Sequence, residues 1–131
     1  MYPNEYISYL VHFHGDRDYF ECHEILEEYW KNTEPGNKES VWVGLILLAV
    51  SCYHHRRGNF AGAVKTLEKA IPIFESKPNM IQQLGLNCHD LNLMLKERLS
   101  DIKDRHIYKS LNLPIADTAL LQTCVKLTEI K

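Results

Sequence analysis

No stretch of this 131-residue chain is long enough to cross a bilayer, because its longest apolar run, Val41 to Val50, is about half the length a membrane helix needs. The first ten residues, MYPNEYISYL, carry no positive side chain, so the basic region that opens a secretory signal is missing. Four cysteines, Cys22, Cys52, Cys88 and Cys124, stand at least thirty positions apart and form neither a CxxC pair nor a zinc-ligand spacing. They read as buried thiols of a protein kept in a reducing cytoplasm. Charge of one sign is also missing: 15 Lys and Arg against 17 Asp and Glu leave a net charge of −2, no basis for holding nucleic acid or an anionic membrane surface. There is no low-complexity segment and no linker, so one domain over 1–131 is expected.

The chain does hold a succession of helical patterns. Pro3 suits a first helical turn, and Tyr6, Ile7, Leu10, Val11 and Phe13 follow at helical spacing until Gly15. Asp18 with Glu21 three residues on forms a capping box for a second helix, which ends before Pro35-Gly36. From about Asn37 to Arg57 the sequence is apolar on almost every face and then polar in its last turn, the pattern of a helix in the middle of a bundle. Asn59 caps a fourth helix with Ala63, Leu67, Ala70, Ile71 and Phe74 on one face, bent at Pro72, and Lys77-Pro78-Asn79 turns the chain. Asn87 and Asp90 open a fifth, whose stripe is Cys88, Leu91, Leu95, Leu99 and Ile102. Beyond Asp104 a short terminal helix and a loose tail fit equally well. The expected architecture is an all-α, antiparallel bundle of five or six helices.

Chemistry concentrates in the second helix, DYFECHEILEEYW. At about 100° per residue, Cys22, Ile25, Leu26, Tyr29 and Trp30 share one arc, and Glu21, Glu24, Glu27 and Glu28 the opposite one. His23 sits on the seam. Its spacing of four from Glu27 lets an imidazole nitrogen and a carboxylate meet one metal or one proton, and His54, in the last turn of the buried helix, could add a second nitrogen. His23, Glu24, Glu27 and His54 are the catalytic candidates, and His23, Glu27 and His54 the candidate ligands of a divalent metal. A solvated acidic face would look the same, and a histidine at a helix C-terminus is favoured by the helix dipole alone. HExxE lacks the second histidine of a zinc-protease helix, and no Glu-x-x-His stands on two helices as a di-iron bundle requires. Arg56, Arg57 and Lys65 around Gly58-Asn59 form a basic turn at the start of the fourth helix.

The order Phe20-Glu21-x-His23-Glu24-x-x-Glu27-Glu28 with Trp30, then Tyr53-His54 and Gly58-Asn59, resembles the bacterial and archaeal family catalogued as domain of unknown function 309. The resemblance runs from about Tyr19 to Phe74, with a weaker echo at GLNCHDL. It implies a compact all-helical cytoplasmic protein, assigns no activity, and directs suspicion to Glu21, His23, Glu24, Glu28, Trp30 and His54. The family often carries glutamine within the buried helix, where this chain has Val43 and Leu47, so its interior is more apolar. Leu47 to Ala70 also looks like one tetratricopeptide-type helical hairpin; a solenoid needs about three stacked units, so the hairpin would sit alone in a bundle.

Three expectations follow. The first is a binding or protein-interaction module presenting an acidic, aromatic-edged helix to a protein or small molecule, with Glu21, Glu28, Trp30, Arg56 and Arg57 as binding residues; a homo-oligomer stays open. The second is a hydrolase-type enzyme using His23 with Glu24 or Glu27, assisted by His54 or a metal. In the third, Glu21 or Glu24 pairs with Arg56 or Arg57 and the motif only joins two helices.

Overall fold

A computed structural model describes residues 2–130, with side chains described as far as Thr128. Seven helices run through it: α1 (Asn4–His14), α2 (Tyr19–Thr33), α3 (Val41–Arg56), α4 (Phe60–Glu75), α5 (Pro78–Gln83), α6 (Cys88–Lys103) and α7 (Thr118–Ile130). The fold is all-α. An isolated antiparallel bridge, Leu86 to Ile115, is the one extended pairing among the described residues. None of the helices there is long and apolar enough to cross a membrane.

Side-chain caps start the helices where the sequence places them. Asp18 accepts from the Glu21 amide at 3.0 Å, Asn59 from Gly62 at 3.0 Å and Asn87 from Asp90 at 3.0 Å, each satisfying a donor that has no partner inside its helix. Only half of the expected box at Asp18 forms, because the Asp18 amide bonds the Asp16 carboxylate at 3.2 Å instead of Glu21. Ser40, which the sequence pattern did not single out, caps α3 through the Trp42 amide.

α3 is the central helix. Val41, Trp42, Leu45, Leu48, Ala49 and Cys52 are buried on it, and α2 packs on one side and α4 on the other. α3 and α4 form an antiparallel hairpin of close approach. The Ser51 hydroxyl donates to the Ala63 carbonyl at 2.8 Å, and a Cβ on Gly44 would stand 2.9 Å from the Phe74 ring. α1 closes the other face with three aromatic side chains, Tyr6, Tyr9 and Phe13. Tyr6 donates to the Leu84 carbonyl at 2.7 Å and Tyr9 to the Leu45 carbonyl at 2.7 Å, so each brings a polar group into the core already satisfied.

The count exceeds the expected five or six helices in one place. Lys77-Pro78-Asn79 is not only a turn: Pro78 occupies the first turn of the six-residue α5, where its missing N–H costs nothing. Six residues are too few to show a helical period in sequence. α4 continues through Pro72 to Glu75, and Pro72 deprives the Glu68 carbonyl of its usual helical donor. The region after Asp104 divides into two parts. Residues 105–117 form an extended strap with Leu111 and Leu113 buried, and α7 then packs against α1. Five side chains and a turn hold the strap. His14 accepts from the Leu113 amide at 2.8 Å, Arg17 donates to the Leu111 carbonyl at 2.7 Å, His55 bonds the His106 carbonyl at 2.8 Å, Arg98 donates to the Lys109 carbonyl at 2.6 Å, and Tyr19 meets Tyr108 through their hydroxyls. The Ala116 amide donates to the Gly85 carbonyl at 2.7 Å.

Candidate functional site

α2 buries Tyr19, Cys22 and Leu26 against α1 and α3, and that registration fixes what faces outward. Ile25, Tyr29 and Trp30 are only half-buried, so the apolar arc is narrower than its composition suggests. Phe20 is 58% exposed. Trp30 serves the fold: its indole N–H donates to the Asn37 carbonyl at 2.9 Å and holds the connection between α2 and α3.

His23, Glu24 and Glu27 meet on the outer edge. His23 Nδ1 lies 3.3 Å from Glu24 Oε1, and His23 Nε2 lies 2.9 Å from Glu27 Oε2. A neutral imidazole can donate to one of these carboxylates only. One ligand atom from each of the three residues falls within 4.8 Å of the others, the single such group of His, Cys, Asp and Glu among the described residues. One imidazole nitrogen and two carboxylate oxygens at this spacing could supply three of the ligands of a divalent ion such as zinc. Glu27 is shared, its second oxygen lying 3.3 Å from Lys31 Nζ. Beside this triad, Glu21, Glu24, Ile25, Glu27, Glu28 and Lys31 line a shallow groove of about 240 Å³. The Phe20 ring lies 6.4 Å from the His23 ring.

The candidates on α3 go elsewhere. His54 Nδ1 stands 3.2 Å from Asn59 Nδ2 at the turn into α4, and His54 is not part of the group around His23. Among the described residues neither Arg56 nor Arg57 forms an ion pair with Glu21 or Glu24. Arg56 instead donates to the Arg17 carbonyl at 2.8 Å and lies 4.7 Å over the Tyr19 ring, while Arg57 lies 5.3 Å over the Tyr53 ring. Arg17 presents that carbonyl from a left-handed backbone with φ of 57°. The C-terminal turn of α3 therefore meets the start of α2 through the Arg17 carbonyl before it and the Tyr19 ring face, and not through the glutamates.

Sequence reasoning passed over a second polar cluster. His55, the neighbour of His54, is the one turned inward; its Nε2 faces the His106 carbonyl and must donate, which leaves Nδ1 to accept from Arg98 at 3.4 Å. The HHRR run carried a signal for it, since neighbours about 100° apart on a helix point in different directions, and one of two adjacent histidines on a mostly buried helix can turn inward.

Burial accounts for the thiols. Desolvation raises Cys52 to about 12 and holds Cys22 and Cys124 above the usual thiol range, so none of the three is a ready nucleophile near neutral pH.

The family model described as Domain of unknown function (DUF309) matches residues 6–66. The chain is also 47% identical over 124 residues, 95% of its own length and 71% of the relative's, to the uncharacterized protein YpuF of Bacillus subtilis (strain 168). This chain belongs to the DUF309 family. No solved structure matches it. The part matched to DUF309 takes in α1, α2, α3 and the first turns of α4, and so includes the outer face of α2 and the α3–α4 turn. α5, α6, the strap and α7 of this DUF309 protein lie beyond the family match.

Proposed function

We propose that the chain is a cytoplasmic binding module whose α2 outer face docks a lysine- or arginine-rich segment of a partner protein. The observation carrying this reading is the groove in which four glutamates converge against one lysine, on the helix that also leaves Phe20 more than half exposed. Carboxylates supply attraction and register toward a basic segment, and an exposed aromatic ring supplies the apolar anchor that charge alone lacks. Four free cysteines, three of them buried, support the reducing compartment. The spacing of His23, Glu24 and Glu27 favours a second reading, in which those residues hold a divalent metal and activate water as in a hydrolase.

One titration separates the two. A fluorescent peptide rich in lysine and arginine is added to the full chain and followed by anisotropy, with and without a chelator. Binding is expected to weaken with salt, to ignore the chelator, and to fall by roughly fivefold in the Glu24→Gln, Glu28→Gln double variant. Both residues are exposed, so the melting temperature should not move. Equal affinity for wild type and double variant would end the docking reading, and binding that needs added zinc would favour the metal.

A further inference from the structure

Arg98 stands in the middle of α6 and is 8% exposed. A guanidinium so deeply buried is ordinarily matched by a carboxylate, because removing it from water is costly and a counter-charge offsets the cost. Among the described residues no carboxylate stands within 4 Å of Arg98. Its two hydrogen-bond partners are neutral: the Lys109 carbonyl at 2.6 Å and His55 Nδ1 at 3.4 Å. Its flat face lies 5.8 Å from the centre of the Tyr108 ring. A neutral side-chain amide could serve a carbonyl and an imidazole without carrying a charge inside.

The space in front of Arg98 gives the charge a use. Arg98, His55, Asp101, His106, Ile107, Lys109 and Ser110 line a cleft of about 580 Å³ between α6 and the strap. Two obligate cations, Arg98 and Lys109, face one carboxylate there, and that carboxylate is engaged, with Asp101 Oδ1 lying 3.4 Å from His106 Nδ1. Ser110 adds a hydroxyl that can donate. We propose that this cleft is an oxyanion site which takes the phosphate group of a small phosphorylated metabolite.

Guanidinium geometry favours this class, since the fork of N–H donors matches two oxygens of one phosphate, and a second cation neutralises a dianion. The cleft is larger than a bare phosphate requires, and Ile107, 79% exposed, offers the organic part of the ligand an apolar wall. The net charge of −2 argues against a polyanion as the natural occupant. The inference is independent of the α2 groove, which lies on different elements.

Inorganic phosphate is the probe. The full chain is titrated with it at constant ionic strength, with chloride as the reference anion, and followed by the amide resonances of Lys109 and Ser110 and the side-chain Nε–H of Arg98. Saturable shifts absent with chloride are expected. Lys109→Gln, at an exposed position, should weaken phosphate binding by about tenfold and leave the melting temperature of the free protein unchanged. Asp101→Asn should tighten it, because a repelling carboxylate is gone; a purely structural Arg98 gives no reason for that gain. No saturable response beyond that of chloride, or one affinity shared by wild type and both variants, would overturn the assignment.

Discussion

His14 is held as a neutral imidazole by its two partners. The Leu113 amide donates to Nε2 at 2.8 Å, so that nitrogen must keep its lone pair, and Nδ1 carries the proton toward the Leu10 carbonyl at 3.0 Å. Burial, with a smaller contribution from the nearby Arg17 charge, holds His14 below the ordinary 6.5. The unfolded chain therefore takes up a proton on His14 at a higher pH than the folded chain does. The stability from the neutral ring is complete above about 6.5 and is lost as the pH falls toward the lower folded value, at a slope of at most about 1.4 kcal/mol per pH unit. Glutamine offers the same donor and acceptor without titrating. His14→Gln is expected to flatten the decline of the urea midpoint between about pH 7.5 and 5, whatever it does at neutral pH. An unchanged slope would show that other groups carry the acid sensitivity. At this scale the sequence was legible where chemistry is local. His23, Glu24 and Glu27 meet because one helix turn brings them together. Arg98 was not legible: an arginine between Glu97 and Leu99 reads as solvated until the strap covers it.

α3 and α4 pack closely, and the small side chain at Gly44 permits it. A Cβ on Gly44 would stand 2.9 Å from Phe74 Cε1, 3.1 Å from its Cζ and 3.2 Å from Ile73 Cγ2. The Phe74 ring is fully buried and cannot swing aside. Gly44→Val should cost about 2 kcal/mol by overpacking, with no gain in helix propensity large enough to offset it, and denaturant unfolding would measure the loss. A variant as stable as wild type would mean that the two helices can separate at that end without penalty. Periodicity and caps marked α1, α2, α3, α4 and α6 in the sequence, because each is long enough to repeat its apolar face. α5 escaped, being a single short helix opened by Pro78. The strap escaped for a different reason, since its order comes from side chains of α1, α3 and α6 and not from any pattern of its own.

The whole molecule is closed by its second half. The strap crosses from α6 to α1, and α7 returns along α1, with the Tyr2 hydroxyl donating to Asp117 at 2.5 Å where α7 begins. Leu111, Leu113, Leu120 and Cys124 are all buried there, although the region had equally suggested a loose tail. Burying one leucine is worth about 1.5 to 3 kcal/mol, so the three leucines account for roughly 5 to 9 kcal/mol, as much as many domains of this size possess in total. Their removal would also strip partners from His14, Arg17, His55 and Arg98 at once, leaving buried or half-buried donors and acceptors unpaired. A fragment ending at Lys103 keeps all of the residues matched to the family and six of the seven helices. It is nevertheless expected to lose cooperative unfolding, keeping helical circular dichroism while its amide resonances collapse toward the random-coil range. A fragment that melts in one sharp transition with dispersed resonances would show that α1 to α6 hold their geometry without the strap and α7. In that case the groove on α2 would not depend on the strap that closes the fold.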